Sequence, residues 1–232
     1  MTTADSGCIL YLVPVPLSDG LFCTCNLGFL SEIKIFFSEK ISETQKFLKK
    51  NKLLSSFTDC EFHEIKNISS SDAEKLAALI KPAAALFSDA GCPCIADPGN
   101  LIVRAAHKKN IRIVPLPGSS SIMLALMASG LNGQQFIFHG YFPVKEDQRR
   151  QKIRNAEKDA QRSKRTQIVM ETPYRNSVLL ESLLAVLNDA TLLCMASDLT
   201  GMNERIVTLA VRDWKKRKII PEKVPTLFLF GE

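Results

Sequence analysis

The feature that most constrains this chain is an alternation. Short runs rich in β-branched and aromatic residues take turns with stretches of helical period, and Gly or Pro closes many of them. CILYLV (8–13), IKIFF (33–37), AALFS (84–88) and IRIVPL (111–116) read as strands, whereas 44–51, 71–80 and 100–109 read as helices. Strand and helix in that order imply parallel βαβ units. Ser71 and Glu74 have the spacing of a capping box for the second of those helices. SSSIMLALMASGL (119–131) is apolar around most of its circumference, which predicts a buried helix ended by Gly130.

A turn dipeptide, Asn132-Gly133, precedes a second series. FIFHGYF (136–142), TQIVM (166–170), TLLCMA (191–196) and TLFLF (226–230) read as strands, and RIVTLA (205–210) as a strand or a helix start. Helices are expected over 146–164 and 177–187. The chain is therefore expected to be α/β with two lobes, residues 1–132 and 133–232.

At 232 residues, 46% hydrophobic and 23% charged, the chain can bury a substantial core. It has no run of about 18 apolar residues and no basic segment leading an apolar one at its start, so neither a membrane span nor a signal peptide is expected, and the expected location is cytoplasmic. Seven scattered cysteines do not suggest a disulfide framework. The C-x-C pairs Cys23/Cys25 and Cys92/Cys94 are closer together than usual zinc ligands, and no metal is expected.

The net charge of +6 is concentrated. Residues 145–165 hold nine Lys/Arg against four Asp/Glu, and 212–218 hold five against one, so the rest of the chain is net acidic. Such clusters attract polyphosphate backbones, although a basic helix can also be a solvated face.

FSDAGCPCIADPGN (87–100) follows a strand and precedes a helix, the position where α/β sheets expose unpaired backbone N–H groups to ligands. Gly91 and Gly99 allow backbone angles closed to other residues, and Pro93 and Pro98 stiffen the loop. VPLPGSSS (114–121) and, more faintly, LVPVPLSDG (12–20) repeat the arrangement. Neither a G-x-G-x-x-G nor a G-x-x-x-x-G-K-[ST] loop is present, which disfavours dinucleotide hydride transfer and P-loop phosphoryl transfer. No G-x-S-x-G or H-E-x-x-H occurs, and the three histidines read as structural or surface residues.

These motifs, with FSEK, FIFHGYFPVKEDQRR, METPYRNSVLLESLL and ASDLTGMNERI in the same order, resemble the tetrapyrrole methylase superfamily. Within it they are most similar to the ribosomal RNA branch, the bacterial small-subunit rRNA cytidine 2′-O-methyltransferases. The resemblance implies a two-lobed class III methyltransferase, usually a homodimer, that binds S-adenosylmethionine in a cleft between lobes and methylates a ribose 2′-hydroxyl in ribosomal RNA or the small subunit. Carried over position by position, Pro16, Ser88, Asp89, Ala90, Gly91, Ile95, Ser120, Ser121 and Glu171 would line the cofactor site. Candidate general bases are Glu39, at a strand end, and Asp198. Arg149, Arg150 and Arg154 of the basic helix, with Arg175, would hold RNA phosphates. Ser119 is weighed as a helix cap, and Asp89 and Asp97 as turn stabilisers.

The chain also departs from that branch. Ser18-Asp19 stands where the rRNA enzymes carry a GN pair, Glu39-Lys40-Ile41-Ser42 where they carry E-D-T-R, and Ser197-Asp198-Leu199-Thr200-Gly201 where they carry R-E-L-T-K. The C-terminal extension of longer relatives is expected to be absent. Because these changes fall on the acceptor side, two alternatives stay open: another acceptor, such as a tetrapyrrole-like small molecule, or a catalytically silent RNA-binding relative.

Overall fold

A computed structural model describes residues 7–18, 27–217 and 219–232. The chain divides into two compact units, Met1–Ser119 and Ser120–Glu232.

The first unit contains β1 (Ile9–Val13), β2 (Ile35–Ser38), α1 (Ile41–Lys50), β3 (Glu61–Glu64), α2 (Ser70–Leu79), β4 (Ala83–Phe87), α3 (Asn100–Lys108) and β5 (Arg112–Pro115). Its five strands lie in the order β3-β2-β4-β1-β5, and every pairing is parallel. Pleating sends alternate residues of the central strand to opposite faces. Ala84 and Leu86 pack with Ala73, Ala77, Ile102 and Ala106 of α2 and α3, whereas Ala85 and Phe87 pack with Leu30, Phe47 and Leu48 on the α1 side. Burial on both faces explains why β4 reads as a continuous apolar run.

The second unit contains α4 (Ser121–Ser129), β6 (Phe136–Tyr141), α5 (Glu146–Ser163), β7 (Thr166–Glu171), α6 (Asn176–Val186), β8 (Leu192–Ser197), β9 (Arg205–Ala210), α7 (Val211–Lys216) and β10 (Thr226–Gly231). The order is β6-β7-β10-β8-β9, with β6 and β7 parallel and the other pairs antiparallel. Trp214 is the largest residue of its core, and its indole N–H donates to the Leu193 carbonyl at 2.7 Å.

The second sheet is mixed, with β8 to β10 connected through antiparallel pairs. Two expectations change. The capping box is Ser69 with Asp72 rather than Ser71 with Glu74: Asp72 N donates to Ser69 Oγ at 3.2 Å, and Ser69 N donates to the Asp72 carboxylate at 3.1 Å. Within a run of three serines only the first has the extended backbone a cap needs. The helix expected to be buried packs on the second sheet through Ile122, Ala125 and Leu126 but leaves Met127 77% exposed. It falls in the second unit, so the boundary drawn in the sequence after residue 132 lies after α4 and the division by contacts lies before it. The edge strand β3 escapes sequence reasoning because Glu61, His63 and Glu64 break its apolar pattern.

Candidate active site

The carboxyl ends of β1 and β4 are adjacent, and the loops that leave them are stitched together. Val15 N donates to Gly91 O at 2.9 Å and Gly91 N returns a bond to Val15 O at 2.7 Å. Gly91 takes φ +77°, in the left-handed region that favours glycine. The buried Ser88 hydroxyl donates to the Gly91 carbonyl at 3.0 Å, closing the turn Ser88-Asp89-Ala90-Gly91. Ser88 is thus a turn-builder, while Ala90 and Ile95 are exposed to solvent, Ile95 by 49%. Pro16, Asp89 and Ala90 line a hollow of about 330 Å³ whose other walls include Leu17, Phe47 and Lys46.

Asp89 has two partners from the end of β2: Lys40 N donates to Oδ1 at 3.1 Å and Lys40 Nζ lies 2.9 Å from Oδ2. That bond raises the Lys40 ammonium above its ordinary pKa, with Asp89's charge as the next cause. Sequence reasoning missed Lys40, since the two residues are 49 positions apart and no periodicity links them. It also left Asp97 out of the site. Asp97 is half-buried, and burial, followed by the charges of Glu39 and Asp89, pushes its carboxyl up to about 6. Glu39, Asp89 and Asp97 therefore form one acidic cluster at the carboxyl end of the first sheet.

The loop that carries Asp97 is held in an uncommon shape. Cys94 and Ala96 have positive φ, 69° and 64°, and Gly99 reaches 131°. A Cβ at Gly99 would come within 2.8 Å of Cys94 Sγ and 3.0 Å of Leu86. Burial raises the Cys94 thiol to about 11, so it stays protonated. Cys92 donates to the Ser119 carbonyl at 3.4 Å. Cys23 and Cys25 lie outside the described residues, and among those described no group of three or more His, Cys, Asp or Glu is placed to hold a metal ion.

Three cofactor candidates lie in the second unit. Ser120, rather than Ser119, caps α4: its Oγ accepts from Met123 N at 3.5 Å, and Ser121 begins the helix. Glu171, at the end of β7, is buried; its carboxylate accepts from Thr172 N at 2.7 Å and pairs with Arg175 at 3.0 Å. Arg175, expected to meet RNA, is partly exposed and pairs with the carboxylate four residues before it.

Asp198, the second candidate base, is committed to its own turn. Its carboxylate accepts from Asn203 N at 3.0 Å, its backbone N–H donates to Pro225 O, and it holds φ 49°. A Cβ at Gly201 would fall 2.2 Å from that carboxylate, which is why glycine stands there. Arg149 is also turned inward. It is buried, and its guanidinium donates to the Pro143 and Val144 carbonyls and to Ser182 Oγ, at 3.3, 2.6 and 2.9 Å. A group with those bonds is a structural strut, which corrects its expected role as a phosphate ligand. Arg150 pairs with Glu146 at 2.8 Å, and Arg154 faces solvent.

Residues 34–213 match the family model for tetrapyrrole (corrin/porphyrin) methylases. The ribosomal RNA small subunit methyltransferase I of Vibrio cholerae is 31% identical over 206 residues, which is 88% of this chain and 69% of that protein. Its counterpart in Haemophilus influenzae is 38% identical over 133 residues, 57% of this chain and 45% of that protein. The chain thus spans about half to two thirds of the length of these relatives. Among solved structures, the methyltransferase CobJ superposes with a TM-score of 0.59 at 17% identity, covering 98% of this chain and 95% of that one. A uroporphyrin-III C-methyltransferase from Thermus thermophilus, complexed with S-adenosylhomocysteine, gives 0.51 at 16% identity, covering 96% and 97%.

Proposed function

We propose, because this chain belongs to the tetrapyrrole methylase family, that it is an S-adenosylmethionine-dependent methyltransferase acting on a ribose 2′-hydroxyl of small-subunit ribosomal RNA. The observation that carries the reading is the likeness to the Vibrio cholerae rRNA methyltransferase, which runs through 88% of the chain. The residues at the carboxyl end of the first sheet suit such a cofactor. Ala90 presents a small exposed side chain on the turn, and Ile95 offers an exposed apolar surface to a flat ring. Pro16 and Asp89 line the adjoining hollow, and the Lys40 pair holds Asp89 in place. Ser120, Ser121 and Glu171, in the second unit, are the remaining residues of the proposed cofactor set.

When bound, the cofactor supplies a methyl group on a sulfonium, whose positive charge disperses as the methyl departs. The chain's own task is to hold the acceptor oxygen in line with that methyl, which can supply much of the rate. The hydroxyl proton needs a carboxylate within reach. Glu39 directly follows β2, whereas the Asp198 carboxylate is bound into its own turn. The reading includes a cytoplasmic homodimer. Apolar surface on one chain, including Tyr174 and Ile220, more than 80% exposed, is of the kind a second copy covers.

A second reading keeps the cofactor and changes the acceptor to a tetrapyrrole-like small molecule, or loses transfer and keeps RNA binding. The acceptor-side changes favour it, above all Ser42 and Gly201 in place of an arginine and a lysine. Incubating the purified protein with methyl-labelled S-adenosylmethionine and small ribosomal subunits from a strain lacking it separates the cases. The reading expects label on a ribose oxygen of the rRNA. No label on RNA, together with no calorimetric heat on adding S-adenosylhomocysteine, would overturn it.

A further inference from the structure

The basic helix α5 sorts its charges in a way the sequence does not reveal. Arg149, Ile153, Ala156 and Ala160 form its buried stripe. On the opposite side, Arg154, Lys158 and Arg162 follow one another at four-residue intervals, all exposed, Arg162 by 84% of its side chain. Four residues advance a helix by slightly more than one turn, so the three form a row about 12 Å long.

The acids of the same stretch point elsewhere. Glu157 is turned to one flank, where it accepts from Asn188 N at 2.6 Å and Thr191 Oγ1 at 2.7 Å. Asp159 lies on the other flank, accepting from Gln167 Nε2 at 3.0 Å and pairing with Arg162 and Arg165 at 3.8 Å. Arg154 has a neutral partner, Gln151, at 3.0 Å. From Arg150 to Ser163 the outward row thus holds cations and amides and no acid. Along the row Arg154, Lys158 and Arg162 there is, among the described residues, one ion pair, Arg162 with Asp159 three residues before it at 3.8 Å, so pairing along the helix offsets little of its positive charge.

The second basic run behaves in the opposite way. On α7, Lys215 pairs with Asp189 at 2.6 Å, and Lys216 and Arg212 pair with Asp213 at 2.9 and 3.9 Å. Two runs that look alike in sequence therefore differ: among the described residues all three α7 cations are in ion pairs, two of them at 2.9 Å or less, whereas on the α5 row the one ion pair is that of Arg162 at 3.8 Å.

We infer that the outward row of α5, Arg154, Lys158 and Arg162, is the surface that tracks the phosphate backbone of RNA. The inference rests on the RNA part of the reading above and not on methyl transfer. A row of cations on one rigid element fits a linear polyanion because each phosphate reached releases condensed counterions.

The test uses the full chain and a fluorescein-labelled single-stranded RNA copied from the small-subunit rRNA, titrated over a range of salt. Neutralising the row with Arg154→Gln, Lys158→Gln and Arg162→Gln together is expected to flatten the slope of log Kd against log salt by about two, near 0.7 per phosphate lost. Arg212→Gln, Lys215→Gln and Lys216→Gln together are expected to leave the slope as it was. An unchanged slope in the α5 variant, a slope flattened by the α7 variant instead, or wild-type binding to phosphatidylserine vesicles but not to RNA would each overturn the inference. S-adenosylhomocysteine calorimetry on the same preparations keeps the two readings apart: RNA results as expected with no such binding would sink the cofactor reading alone.

Discussion

At the carboxyl end of the first sheet, Asp97 lies near the carboxylates of Glu39 and Asp89, and Lys40 is committed to Asp89. At the end of β7 in the second unit, the buried carboxylate of Glu171 has its own cation, Arg175, and two donors from Thr172. Asn176 shows the same economy, with its amide donating to the Glu222 and Val224 carbonyls and to Thr226 Oγ1. In the second unit, Arg149, Arg175 and Asn176, polar side chains that look functional by type, are tied into the fold. In the first, Glu39, Asp89 and Asp97 are only partly buried at the strand ends, and Asp89 lines a hollow. The difference separates residues whose loss should unfold the protein from residues whose loss should spare it.

The largest expected effect follows from the Glu171 pair. Arg175→Ala leaves a buried carboxylate without its counter-charge, and breaking a buried pair from one side costs about 3 kcal/mol. Adding Glu171→Gln should recover most of that loss, since the neutral amide needs no cation. Urea denaturation of the two variants reads both numbers. A cost near zero for Arg175→Ala would erase the contrast between the units, and RNA affinity lost without stability would return Arg175 to the surface role its sequence suggested.

Next in size is the turn after β8. Gly201→Ala drives a methyl into the Asp198 carboxylate, an overlap that costs about 2 kcal/mol. Asp198→Gly removes the obstacle and also suits the positive φ at that position. Gly201→Ala should therefore cost much less in the Asp198→Gly background. A double-mutant cycle measures this coupling. Additive effects would mean that the carboxylate does not fill the turn.

Much of the fold is legible in the sequence because burial on both faces of β2, β4, β8 and β10 writes apolar runs, and the helices between them keep their period. β3 is lost because it is a short polar edge, and the mixed order of the second sheet is lost because strand direction leaves no mark on composition. The site divides in the same way. Gly91 and Gly99 could be found because a positive φ limits the residue type. The partners of Arg149, Arg175 and Asp198 could not, since an arginine reaching a carbonyl and an arginine reaching solvent are the same letter. The sorting of charge on α5 needed the helix phase as well as the identity of what flanks it.

The smallest effect tests the first unit directly. Asp97 titrates at about 6 in the folded protein against an ordinary 3.8, chiefly because of burial and then of Glu39 and Asp89. A carboxyl whose folded pKa is raised binds its proton more tightly in the native state. Stability is therefore fully present at pH below about 4 and declines as pH rises towards 6, where the charged form must be held in place. Two units correspond to about 3 kcal/mol, which partial exposure reduces to about 1. Asp97→Asn removes the titration, so variant and wild type should unfold alike at pH 4, with the variant more stable by about 1 kcal/mol at pH 7.5. Chemical denaturation at the two pH values measures the gap. An equal difference at both would mean that Asp97 is solvated like any surface acid. A gain confined to the higher pH, accompanied by a fall in methyl transfer at unchanged S-adenosylhomocysteine affinity, is the signature of a charge kept for chemistry at the expense of stability.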